Sequence, residues 1–180
     1  YVYDLSDLSA QPTKIGPFDA NSNDNFGAVG SIAVSSSYVI VGSKGDDDGG
    51  SSSTGSVYVF DLNDLSATPT KITEPSPEQF AEFSKVAVFS DKLIIGAAQG
   101  GGVMSGTDTG TAYIYDLNDL SAAPTQLLAG DGEPADMFGD SVSIVPSSPP
   151  VYVDWSSPLA IGVTTNTAFA STSVYDDPSV

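Results

Sequence analysis

Two clusters of oxygen donors stand out as the residues most able to do chemistry. Asp19, Asn21, Asn23 and Asp24 alternate over six positions, and Asp46, Asp47 and Asp48 run directly into Gly49 and Gly50. Alternation carries carboxylate and amide oxygens to one side of an extended chain, which is what a hard cation such as Ca2+ requires from its ligands. Neither cluster has the full spacing of a calcium loop, so a solvated acidic turn is the competing reading. These seven residues are the candidate metal ligands, and Ca2+ is the candidate cofactor.

The remaining composition removes most other chemistries. The 180 residues include no Cys and no His, and the five basic residues are all Lys. Without them there is no Ser-His-Asp triad, no thiolate nucleophile, no imidazole–sulfur zinc cage and no arginine fork. The formal net charge of −18 repels nucleic acid and anionic membrane surfaces, and attracts cations or a basic protein surface. No apolar run is long enough to span a bilayer and no secretory leader is visible; the chain starts at Tyr1 rather than Met. The Gly-rich stretch from Gly100 to Gly106 lacks the following helix and nearby Lys of a phosphate loop. No Asn-x-Ser/Thr acceptor occurs.

What positions the acids is a repeat. Tyr1-Val2-Tyr3-Asp4-Leu5 returns as Tyr58-Val59-Phe60-Asp61-Leu62 and as Tyr113-Ile114-Tyr115-Asp116-Leu117, with first tyrosines 57 and 55 residues apart. Each copy is followed by Asp-Leu-Ser-Ala and then by Pro-Thr-Lys-Ile or Pro-Thr-Gln-Leu, and a worn fourth copy reads Val174-Tyr175-Asp176. A second mark is an acid, any residue, Phe and a small residue: Asp24-Asn25-Phe26-Gly27, Glu78-Gln79-Phe80-Ala81 and Asp136-Met137-Phe138-Gly139. A third closes a β-branched or aliphatic run on Gly: Val39-Ile40-Val41-Gly42, Leu93-Ile94-Ile95-Gly96 and Leu159-Ala160-Ile161-Gly162.

Each unit thus contains about four short Val/Ile/Tyr/Phe runs separated by Gly, Ser, Asp and Pro, which is strand-and-turn chemistry. No helix is expected, because Pro75 and Pro77 break the one helix-like stretch. Four antiparallel strands per unit of this length predict an all-β protein of β-propeller-type blades. The expected division is 1–16 as the third and fourth strands of a preceding blade, 17–73 and 74–128 as blades, and 129–180 as a degenerate or capping blade, with 13 strands in all. About three blades fall short of the 4 to 8 that close a propeller. Uncovered blade faces and open strand edges should therefore recruit further blades or copies.

These residues resemble the FG-GAP repeat family, whose blades build the propeller of integrin alpha chains and of many secreted microbial proteins. The resemblance rests on Phe26-Gly27 with Ser31-Ile32-Ala33-Val34, Phe138-Gly139 with Ser141-Val142-Ser143-Ile144, and the Ile40-Val41-Gly42-Ser43 and Ile94-Ile95-Gly96-Ala97 segments. Ala81 stands at the motif Gly of the second unit in this alignment, and the motif Pro is missing. The family's calcium loop, between the first two strands of a blade, does not transfer: Ser35-Ser36-Ser37 and Ser90-Asp91-Lys92 are too short to wrap an ion. The chain looks more like the bacterial and algal variety of the repeat.

The other recurrent residues read as structure. Asp4, Asp61 and Asp116, and likewise Asp7, Asp64 and Asp119, recur in every copy, which suits an acceptor for turn N–H groups. Phe26, Phe80 and Phe138 read as anchors between blades. Tyr152 and Trp155 could plug a core or form an aromatic patch. The reading is a non-catalytic adhesion or scaffold module, secreted or in an organelle lumen, binding protein or glycan partners through acidic loops. Its rivals are a structural subunit of a larger assembly and a propeller-type glycoside hydrolase with paired carboxylates, although no pair of acids stands apart.

Overall fold

The computed structural model describes residues 1–47, 52–99, 109–133 and 136–145, and the backbone of 168–171. Asp48 to Gly50, the Gly100–Gly106 stretch, Tyr152, Trp155, Leu159–Gly162 and Val174–Asp176 lie outside the described residues. Among the described residues there is no helix.

The strands are β1 (Ile32–Val34), β2 (Tyr38–Ser43), β3 (Ser56–Asp61), β4 (Thr70–Thr73), β5 (Lys85–Phe89), β6 (Lys92–Ala97), β7 (Thr111–Asp116), β8 (Thr125–Leu127), β9 (Ser141–Ile144) and β10 (Ala168–Ser171). They form two antiparallel four-stranded meanders, β1-β2-β3-β4 and β5-β6-β7-β8, and a two-stranded β9-β10 sheet. β2, β3 and β6 are almost wholly buried and β7 is buried at half its residues, as expected for inner strands covered on both faces.

The first and second sheets pack face to face. Ile40, Val57, Val59 and Ile72 of the first meet Val86, Leu93, Ile95, Tyr113 and Tyr115 of the second in one core cluster. On the other side of the first sheet, Val39, Val41, Tyr58 and Phe60 are covered by Phe26, Val2 and Ile15. The first strands of successive sheets are neighbours, β1 against β5 and β5 against β9. The spacing between sheets is set by two glycines. A Cβ on Gly42 would collide with the Ser84 carbonyl oxygen, and one on Gly96 with the Gly139 carbonyl oxygen, so backbone meets backbone at the same point of each seam.

Two expectations change. Residues 1–16 hold a single bridge, Val2 to Thr13, rather than two full strands, although it is the counterpart of the Val59–Thr70 pair in the first sheet. β9 pairs with β10, Ala168 lying opposite Ile144, and the Leu159–Gly162 run that carries the Gly mark lies outside the described residues.

The second-unit Phe mark also shifts by three residues. Glu82-Phe83-Ser84, not Gln79-Phe80-Ala81, is the counterpart of Asn25-Phe26-Gly27 and Met137-Phe138-Gly139. In all three the residue before Phe has positive φ, at 55°, 55° and 53°. Phe83 N–H donates to Thr54 O at 2.9 Å and Phe138 N–H to Thr109 O at 2.8 Å, at matching points of the preceding sheet. Asp24 O and Ala81 O accept from the N–H of Gly45 and Gln99, each three residues past the seam glycine. Phe83 is fully buried whereas Phe80 is half-buried. The motif Gly position of the second unit is therefore Ser84.

Candidate functional site

The two donor clusters meet at one point, above Tyr58 of β3. Tyr58 Oη lies 2.7 Å from Asp19 Oδ1 and 2.9 Å from Asp46 Oδ2, so the two carboxylates share its single hydroxyl proton. Lys71, on β4 beside Tyr58 in the ladder, sets its Nζ 2.7 Å from Asp19 Oδ2 and 2.8 Å from Asp46 Oδ2. The ammonium also lies 5.6 Å from the Tyr58 ring centroid. Asp46 is buried, with its side chain 3% exposed. Phe18 and Phe26 stand edge-on to the Tyr58 ring at 6.1 and 5.7 Å and close the apolar side of the site.

The electrostatics follow from this geometry. Burial disfavours the charged form of Asp19, but the hydrogen bonds from Lys71 and Tyr58 outweigh it and hold its pKa below the usual carboxylate range. Burial likewise opposes the Lys71 ammonium, and its two Asp partners overcome that and raise its pKa. Burial first, then the two carboxylates, push the Tyr58 phenol up. The assembly is a shared ion pair that ties the 17–26 loop and the β2–β3 loop to the sheet.

The other candidate ligands go elsewhere. Asp24 is buried and accepts the Asn21 N–H on Oδ2 at 2.5 Å. Asn21 Nδ2 donates to Asp19 O, and Asn23 O accepts from Asn25 Nδ2 at 2.7 Å. Asp47 Oδ1 accepts the Ser53 N–H at 2.6 Å. Among the described residues no three carboxylates are grouped to hold a metal ion. Asp19 and Asp46 are the two acids that do converge, and the position between their carboxylates is filled by a tethered cation, the Lys71 ammonium.

Lys71 was missing from the sequence-level site, although it was legible as the Lys of Pro-Thr-Lys-Ile: it stands 13 residues after Tyr58, as Gln126 does after Tyr113. That second site is different. Tyr113 Oη donates to Glu74 Oε1 at 3.3 Å, and Gln126 Nε2 reaches Tyr113 Oη at 3.5 Å. Glu74 is 4% exposed, and its other oxygen accepts the Glu78 N–H at 3.4 Å. Burial raises its pKa to about 7.

The recurrent aspartates take turn N–H groups. Asp4, Asp61 and Asp116 accept from Ser6, Asn63 and Asn118 at 2.8–2.9 Å. Asp7, Asp64 and Asp119 accept from Ser9, Ser66 and Ser121 at 3.0–3.1 Å, with each serine hydroxyl adding a bond of 2.6 Å. These side chains shape the loop after the third strand of each unit.

Comparison with known proteins agrees with this architecture. Residues 10–60 match the model of the FG-GAP repeat. No curated protein and no solved structure matches the chain. The matched stretch contains Phe26-Gly27, β1, β2 and nearly all of β3, together with Asp19 and Asp46. Residues 10–60 are thus similar to an FG-GAP repeat, the repeat of propeller-type blades, and they form β1, β2 and nearly all of β3 in the first four-stranded sheet.

Proposed function

We propose that this chain is a non-catalytic binding module that works outside the cell and recognises a basic protein surface through its acidic loops. One observation carries the reading: each described carboxylate with altered proton affinity is engaged in holding the fold. Asp4, Asp7, Asp64 and Asp119 hold turns, Asp116 pairs with Lys92 and a turn N–H, and Asp19 pairs with Lys71. Glu74, whose raised pKa suits a general acid, is 4% exposed in the seam between sheets, where no glycoside could reach it. The FG-GAP repeat is in general a non-enzymatic, extracellular repeat, which supports the same conclusion.

With a net charge of −18, recognition of a basic surface should weaken with salt, because a Debye length of about 10 Å at 0.1 M screens exposed charges. The test is biolayer interferometry against immobilised poly-lysine and a glycan panel at low and high salt, alongside a glycoside hydrolysis panel and melting with and without Ca2+. Salt-sensitive binding to the polycation without turnover, and a melting temperature indifferent to Ca2+, are expected. Binding confined to a neutral glycan would move the partner class. Turnover lost in Glu74→Gln would overturn the non-catalytic reading.

A further inference from the structure

Among the ion pairs of the described residues, the one at Lys71 differs in its surroundings. Lys44 with Glu82, and Lys92 with Asp91 and Asp116, are open to water, with side chains 26–41% exposed. Lys71 is 16% exposed and Asp46 3%. Phe18, Phe26 and the Tyr58 ring close around them. A buried ion pair carries a desolvation penalty, which a neutral group in its place would remove.

The atoms that hold one another there are also placed to react. Lys71 Nζ stands 2.8 Å from Asp46 Oδ2, one bond from the carboxyl carbon. Both residues are fixed. Lys71 lies on β4 opposite Tyr58 in the ladder. Asp46 is pinned through its backbone: its N–H donates to Ser43 O at 3.2 Å, and its carbonyl accepts from the Gly55 N–H at 3.0 Å and from Thr54 Oγ1 at 3.2 Å. Two reactants held in this way meet without a bimolecular encounter.

Asp19 supplies a proton route. Its Oδ2 lies 2.7 Å from Lys71 Nζ and its Oδ1 2.7 Å from Tyr58 Oη, which in turn lies 2.9 Å from Asp46 Oδ2. Amine, carboxylate, phenol and the Asp46 oxygen thus form one closed hydrogen-bonded ring.

We propose that Lys71 and Asp46 condense in the folded chain to an intramolecular isopeptide bond, with Asp19 as the proton carrier. Nζ forms a bond to Asp46 Cγ, and the Cγ–Oδ2 bond breaks. The ammonium gives one proton directly to Oδ2. A second passes from the nitrogen to Asp19 and is returned through the Tyr58 hydroxyl to the same oxygen, which leaves as water. Ammonium and carboxylate become a neutral amide and one water, and the balance needs no oxidant or activating group. Because its two acidic partners keep Lys71 protonated, the free amine is the minor form, so the bond forms slowly after folding. Gln126 stands at the corresponding position of the second blade and cannot act as the nucleophile. The link closes the chain between 46 and 71 and constrains the unfolded state as a disulfide does. It goes beyond the binding reading, which an unlinked chain could satisfy equally.

The test is the intact mass of the folded 180-residue chain together with its tryptic map. After incubation at neutral pH the mass should lie below the sequence mass by one water, about 18 Da. Trypsin cuts after lysine, so an unlinked chain gives the peptides 45–71 and 72–85, whereas acylated Lys71 resists cleavage and leaves one 45–85 peptide, lighter by a water. Lys71→Gln should restore the full mass, which it would not do if the water were lost in a succinimide elsewhere. Asp46→Asn should exchange the loss of water for a loss of ammonia, about 17 Da. Asp19→Asn keeps both reacting residues and should slow the mass change about a hundredfold. A wild-type chain with β-sheet circular dichroism, the full sequence mass and ordinary cleavage after Lys71 would overturn the inference. So would a 15–44 peptide joined to 45–85, which would make Asp19 the acyl partner.

Discussion

The tyrosines of the two inner blades face the same problem and solve it differently. At Tyr58 the hydroxyl is shared by Asp19 and Asp46, and Lys71 neutralises the pair. At Tyr113 a single buried acid, Glu74, accepts the hydroxyl, and Gln126 replaces the lysine. A Gln in place of the Lys of the Pro-Thr-Lys-Ile mark, together with one carboxylate in place of two at the hydroxyl, separates a charged cluster from a buried acid that titrates near neutrality. A repeat preserves backbone positions and leaves the electrostatics at each position free to diverge.

The largest effect expected from breaking this comparison is on the packing that both blades share. Phe83→Ala should cost about 3–5 kcal/mol, the usual cost of emptying a buried aromatic site. Phe80→Ala should cost under about 1 kcal/mol, as at a half-buried position away from the core. Urea titration of the two variants decides which phenylalanine is the blade anchor, and equal losses would count against the reassignment to Phe83.

Lys71→Gln gives the first blade the residue of the second. It leaves Asp46 buried without a counter-charge, and should destabilise by about 3 kcal/mol. Adding Asp46→Asn should recover part of that loss, and a double-mutant cycle would measure the coupling. A variant as stable as wild type would mean that the ion pair contributes nothing.

The second blade should respond to pH in the opposite sense to the first. Glu74 has a folded pKa of about 7 against an ordinary value of 4.5. Its contribution is complete below the ordinary value and is lost as pH rises through 7, a fall of about 2–3 kcal/mol between pH 5 and pH 8. Asp19, with a lowered pKa, contributes above its ordinary value of 3.8 and is lost as pH falls further. Melting temperatures should therefore peak between the two limbs, and Glu74→Gln should flatten the alkaline limb alone. The smallest effect is at the turns: Asp64→Ala removes an exposed acceptor of the Ser66 N–H and should move the melting temperature only slightly, with Asp119→Ala moving it equally.

Much of the fold was legible because sheet formation is a local, periodic property. The runs at Val39–Gly42, Tyr58–Leu62 and Leu93–Gly96 predicted β2, β3 and β6 within a residue or two. The seam glycines Gly42 and Gly96 were visible as the close of an aliphatic run. The Asp turns were legible from recurrence, since an acid present in every copy has a task that every copy shares. The second Phe mark was misplaced because Phe80-Ala81 and Phe83-Ser84 both offer Phe before a small residue, and the acid at Glu78 favoured the wrong one. Only the backbone bonds to the neighbouring sheet separate them.

The sequence by itself determined that the protein is built of repeated antiparallel sheets, that it carries a strong negative charge, and that it lacks the side chains for triad, thiolate or zinc chemistry. Tertiary structure alone decided the partners of the acids. Asp19 and Lys71 are 52 residues apart in the chain and 2.7 Å apart in space, and Glu74 meets the Tyr113 hydroxyl only where two sheets close on each other. Hydrophobic period and turn chemistry act over a few neighbouring residues and can be read in order. A buried charge is satisfied by whatever the fold brings within about 3 Å, and that distance is set by packing rather than by position in the chain.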